Sequence, residues 1–150
     1  MKNLIEIFKT KAEASFAFGS GTMIELNAQS NAKYPLIWML FPITITNNLT
    51  NNFITSQTFS FNLLFLQSGH TTDKQTTINK MFDEMNSIMV GYIQSMQIDN
   101  ENLERNLMTF GQTTMINKKQ DNVHFGWSVA VQVTLPIDSS YCCNMFDNGI

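Results

Sequence analysis

Two histidines, one pair of adjacent carboxylates, one pair of adjacent cysteines and one glycine run are the residues able to do chemistry in this 150-residue chain. His70 and His124 have no carboxylate, cysteine or second histidine at metal-ligand spacing. His124 falls opposite the apolar face of an alternating stretch, which predicts a surface or interface imidazole. Asp83 and Glu84 sit side by side in a helical pattern, on its solvent side, where they read as a solvated face. A general acid–base pair needs a pocket and convergent geometry. Cys142 and Cys143 are vicinal, a poor disulfide and no zinc site without further ligands, so they read as reduced thiols. Gly19-Ser20-Gly21 lacks the later glycine and lysine of a phosphate loop, and no serine stands in a nucleophile elbow. The chain therefore reads as a non-enzyme with no metal and no cofactor.

Composition narrows the classes further. Charged residues make up 14%, against about 25% in an average soluble domain. Asn, Thr, Ser and Gln take their place, giving a polar surface that is easily desolvated against neighbours; AT-rich codon bias would leave the same mark. The net charge is −3, and Arg105 is the only arginine. A nucleic-acid reader needs clustered Lys and Arg to displace counterions, so the charge argues against that class. No apolar run reaches the roughly 18 residues of a membrane span, and none stands at the start as a signal sequence. The expectation is a chain made and used in a cytoplasm.

The element that organises the rest is a long helix over 72–99. Ile78, Met81, Phe82, Met85, Ile88, Met89, Tyr92, Ile93 and Met96 recur at gaps of three and four, placing one apolar stripe along it. Thr72-Asp73-Lys74-Gln75 reads as a capping box at its start. The Met stripe is expected to pack on a sheet, with Val90 and Gly91 off it.

Around it, Met1 to Phe16 predicts a first helix, spanning 1–17 at most and stopped by Gly19-Ser20-Gly21. Thr22 to Gln29 alternates and predicts a half-buried strand. Leu36 to Phe41 is a continuous apolar run, a strand closed by Pro42, with Ile43 to Thr46 extending it or starting its neighbour. Asn47 to Asn52 is nearly all turn formers and predicts a projecting loop. Phe53 to Leu66 predicts a strand, Leu103 to Phe110 a short helix, and Gly111 to Asn117 a strand. A polar turn over 118–122 leads to the most regular strand, His124 to Leu135, ended by Pro136. Residues 138–150 form an irregular tail. The whole is one α+β domain over 1–150: an antiparallel β-sheet with the long helix and the N-terminal helix packed on one face.

Two local patterns, set in this order of elements, carry a family resemblance. One is Lys33-Tyr34-Pro35-Leu36-Ile37-Trp38-Met39-Leu40. The other runs from Phe125-Gly126-Trp127 through Val133 to Leu135-Pro136 and the late Cys142-Cys143. With them the chain resembles the small neck and tail ring proteins of tailed bacteriophages, of tail-terminator or tail-completion type, as in crAss-like and other phages of Bacteroidetes. The resemblance covers residues 1–146 and lies in architecture and short hydrophobic patterns, without a catalytic signature.

That resemblance implies a virion structural protein. Copies would close into a homo-oligomeric ring of six or twelve in the head–tail connector or tail, against portal, neck or tail proteins. DNA would pass through as cargo, and no membrane would be involved. A mildly acidic, arginine-poor subunit suits a lumen that must release DNA. The expected contact residues are Asn47, Asn48, Leu49, Asn51 and Asn52 in one loop and Lys118, Lys119, Asp121 and Asn122 in the other, with Met145 and Phe146 of the tail. The competing reading is a small-ligand or peptide-binding α+β module, its pocket lined by Met and aromatic side chains.

Overall fold

The structure, a computed structural model, describes residues 2–13, 15–28, 33–69, 74–103, 107–118 and 124–137. In chain order it contains α1 (Lys2–Ala12), β1 (Ala17–Gly21), α2 (Met23–Asn27), β2 (Leu36–Thr50), β3 (Phe53–Ser68), α3 (Gln75–Leu103), β4 (Leu107–Lys118) and β5 (His124–Pro136). The class is α+β. The five strands form one sheet in the order β1-β2-β3-β5-β4. It is mixed rather than antiparallel, because β1 runs parallel to β2, from Ala17 opposite Leu36 to Gly21 opposite Leu40. The other three pairings are antiparallel.

Alternation along each strand divides the apolar residues between two faces. Ile37, Met39, Phe61, Leu63, Phe65, Val129 and Val131 share one core with Leu4, Phe8 and Ala12 of α1 and Met85, Met89, Tyr92 and Met96 of α3. The stripe read from the sequence is thus the buried side of α3, while Val90 and Gly91 are exposed. Leu36, Trp38, Leu64 and Leu66 point the other way and are covered by Leu26 of α2. The proposed capping box at the start of α3 involves Thr72 and Asp73, which lie outside the described residues.

Four expectations are corrected. The first helix ends at Ala12, and Gly19-Ser20-Gly21 is strand β1 rather than a stop. Glycine is required there by packing: a Cβ on Gly19 would lie 2.4 Å from the Trp38 ring. The 22–29 stretch is the short helix α2, not a strand. Thr22 accepts from the Glu25 backbone N–H while the Glu25 carboxylate accepts from Thr22 N–H, a capping box that the apparent alternation concealed. Its Leu26 is buried and Ile24 is left 81% exposed.

The third correction concerns Pro42, which does not close its strand. β2 continues through it to Thr50, with an irregular register between Leu40 and Thr44. Pro42 lies beyond the end of β1 and in the stretch of β2 that has no paired partner on β3, so its lack of an N–H removes no ladder bond. Fourth, the described residues of 103–110 are not a separate short helix. Leu103 ends α3 and Leu107 begins β4, where Met108 and Phe110 pack toward the core with exposed Thr109 between them. The predicted strands over 53–66, 111–117 and 124–135 lie within β3, β4 and β5.

Gly126 leaves room for the backbone of β3, since a Cβ there would clash with the Phe65 carbonyl oxygen. Two buried polar groups on the helical side are satisfied by backbone. The Tyr92 hydroxyl donates to Phe8 O at 2.8 Å, and the Trp127 indole N–H donates to Phe82 O at 2.9 Å.

Two measurements check this core. Met85 is 1% exposed, so Met85→Asp should lower unfolding free energy by about 3 kcal/mol or more through an unpaired buried charge. Near-native denaturant stability would remove the stripe from the core. Burial pushes the Tyr92 phenol well above its ordinary 10.0. The unfolded chain then loses this proton first, so the contribution is complete below about pH 10 and lost as pH rises through the folded value. Stability should fall by up to about 1.4 kcal/mol per pH unit above that point, and Tyr92→Phe should flatten the slope in alkaline melts.

Candidate interaction surface

Among the described residues, the groups able to do chemistry lie apart from one another. His124 is 2% exposed, not a surface imidazole, and its Nε2 lies 2.6 Å from the Tyr34 hydroxyl. The sequence reading placed it on the polar side of β5, and that side is covered here by Tyr34, at the entry to β2. Burial raises the Tyr34 phenol above its usual value, and the pair is a partly buried polar link between the starts of two strands. His70, Cys142 and Cys143 lie outside the described residues. Asp83 and Glu84 are exposed on α3, with Lys80 3.9 Å from Glu84. No group of three His, Cys, Asp or Glu able to hold a metal occurs among the described residues.

Met85, Met89, Tyr92 and Met96 of α3 are buried in the core. Two shallow depressions flank the helix. One of about 390 Å³ is lined by Asp83, Glu84, Ser87 and Ile88. The other, about 420 Å³, lies between α1 and α3 beside Lys11, Phe16 and Tyr92.

The feature that stands out is the far end of the β2–β3 hairpin. β3 is paired with β5 only as far as Ser56 opposite Pro136, followed by Ile137 N–H donating to Thr55 O at 3.1 Å. Beyond that level the hairpin is a two-stranded ribbon. Five of the sequence-predicted contact residues are here, but not as a loop: Asn47, Asn48 and Leu49 are strand, and only Asn51 and Asn52 turn. Both turn residues have positive φ, 50° and 67°, the backbone of a tight two-residue hairpin turn that asparagine tolerates.

Polar side chains hold the ribbon together. Asn48 donates to Ser56 Oγ and Thr58 Oγ1, both at 3.0 Å, and Gln57 donates to Asn47 Oδ1 at 2.8 Å. Thr55 is the extra residue of a bulge, because Asn48 opposes Ser56 while Leu49 opposes Ile54. Apolar side chains are left outside: Phe53 is 75% exposed, Leu49 62%, Ile54 46% and Ile45 44%. No Asp, Glu, Lys or Arg occurs between Lys33 and Asp73, so the whole hairpin is uncharged.

The outer edge of β2 adds a second property. β1 covers Leu36 to Leu40 and stops, leaving Phe41 to Thr50 without a neighbouring strand among the described residues. At about 3.3 Å per residue this is roughly 30 Å of open edge. Of the second set of predicted contacts, Lys118 ends β4, whereas Lys119, Asp121 and Asn122, with Met145 and Phe146, lie outside the described residues. Sequence reasoning missed Ile45, Phe53 and Ile54; the uninterrupted absence of charge around them was the available signal.

No protein-family profile matches the chain, and no curated protein matches its sequence. No described helix is long and apolar enough to cross a membrane.

Because Leu49 and Phe53 protrude, Leu49→Ser with Phe53→Ser should move thermal stability by no more than about 0.5 kcal/mol each. The same variant should weaken any association of the protein, read by light scattering across a concentration series. A large loss of stability would show instead that these side chains are packed within the chain.

Proposed function

We propose that the chain is a structural assembly subunit. In the setting its sequence resembles, this is a ring-forming component of a bacteriophage head–tail connector or tail, through which DNA passes. One observation carries the reading: a protruding, uncharged hairpin bears four exposed apolar side chains beside an open strand edge. Apolar groups clustered on a polar, charge-free ribbon lose little on desolvation and gain by burial, which marks a surface made to be covered by protein. The phage setting rests on the sequence resemblance.

Head-to-tail contacts repeated about an axis close into a ring. The purified chain should therefore give a closed particle of six or twelve copies by light scattering and negative-stain microscopy. A monomer at all concentrations would overturn the reading.

Passing DNA must not be held. With a net charge of −3 and nine Lys and Arg in all, binding to duplex DNA should be weak and indifferent to sequence. Its salt dependence should be shallow, reflecting about two or three phosphate contacts. Titrations at low and physiological salt test this, and tight, steeply salt-dependent binding would contradict a non-retaining lumen.

A further inference from the structure

We infer that the open edge of β2 is the docking site for the same edge of a second copy, joined antiparallel about a two-fold axis through Asn47. This contact is additional to the head-to-tail contacts of the assembly reading above, pairing copies face to face rather than continuing the ring, and it stands on geometry of its own.

An open strand edge presents backbone N–H and C=O groups that water or another strand must satisfy, and proteins that remain monomeric guard such edges with charge, proline or bulges. From Thr44 to Thr50 this edge has none of these. The bulge of the hairpin tip lies on β3, so β2 alternates without interruption over these residues. Every one of them but Asn48 is exposed.

The stretch is also self-complementary. Antiparallel pairing about Asn47 sets Ile45 opposite the second copy's Leu49, Thr46 opposite its Asn48, and Thr44 opposite its Thr50. Each pair joins like with like on the same face of the sheet. The exposed apolar residues Ile45 and Leu49 meet twice, once on either side of the axis. With no charge anywhere in the hairpin, two identical edges meet without repulsion.

Shape supports the same register. β1 stops opposite Leu40, leaving a notch alongside the hairpin. In this pairing the second copy's Asn51-Asn52 turn comes level with Ile43 and Pro42, just short of the end of β1. The strand pairing therefore ends where Pro42 has no N–H to offer. Each hairpin fills the notch of the other, and the two sheets join through their β2 strands with the α1 and α3 layers on the same side.

Like charges placed on the axis test the inference, because residue 47 faces itself only in this register. The full-length protein should show a two-fold contact by light scattering. Asn47→Lys and Asn47→Asp should each weaken it by at least about tenfold, while circular dichroism melts stay near wild type. Mixing the two variants should restore association, since Lys then faces Asp. Thr113→Lys, on the opposite edge of the sheet, should leave this contact intact.

Association that Asn47→Lys leaves unchanged overturns the inference even if rings form, and the ring reading then survives alone. Dimers without rings, broken by Asn47→Lys and restored by mixing, uphold the inference and overturn the ring. A wild-type monomer overturns both. Failure of the mixture to recover, or loss of association in Thr113→Lys, moves the contact away from this edge and overturns the inference.

Discussion

Tyr92 is the point at which the layers of this protein are joined. It projects from the buried side of α3 and stacks edge-on against Phe65 of β3, with ring centroids 5.4 Å apart, and against Phe16 after α1 at 6.0 Å. Its hydroxyl reaches the Phe8 carbonyl of α1. A tyrosine this deep must satisfy its hydroxyl or incur a desolvation cost. The bond to a helical carbonyl therefore fixes where α1 lies, as well as holding the ring. Phe8 then meets Phe61 edge-on at 5.4 Å, carrying the same contact back to the sheet. The Lys11–Asp99 ion pair at 2.6 Å joins the two helices at a partly exposed site, where such a pair contributes little by itself.

This arrangement divides the sheet into two zones with different physics. Where α1, α2 and α3 cover it, strand residues are apolar on both faces, as the buried run Leu63 to Leu66 shows. Further along the same strands the cover ends, and polar ladders take over: Asn48 with Ser56 and Thr58, then Thr58 with Thr134 at 2.9 Å. Hydroxyl and amide groups stabilise a ribbon there without recruiting charge. The hairpin therefore keeps its shape without a core beneath its tip, while its apolar side chains remain outside.

Long elements with one dominant period were legible in the sequence. The stripe of α3 and the alternation of β5 each hold over many residues, and both are seen in the structure. What misled was local chemistry with two meanings. Gly19 and Gly21 read as breakers, whereas Gly19 makes room for the Trp38 ring within a parallel strand. Ile24, Leu26 and Ala28 imitate a strand, although the Thr22–Glu25 capping box marks a helix of only five residues. Asparagines suggested a loop where only two of them turn. The parallel placement of β1 had no local signal, since it depends on α2 crossing the opposite face of the sheet. The interaction surface was found by its asparagines, but its apolar members were not, because exposure is a property of the fold rather than of the residue.

The two-residue turn at Asn51 and Asn52 has a kinetic consequence. It joins neighbours in both sequence and space, so β2 and β3 can zip together through local contacts alone. β3 must then wait for β5, because Ser68 pairs with His124 only after α3 and β4 have been made. Closing so long a loop is slow compared with forming a hairpin. During synthesis the earliest sheet fragment is therefore an uncharged β-ribbon, rich in Phe, Ile and Leu, with the β3 edge open along its length. Such a fragment is adhesive, and the arrival of β5 covers its β3 edge, while the outer edge of β2 beyond Leu40 stays without a strand neighbour among the described residues.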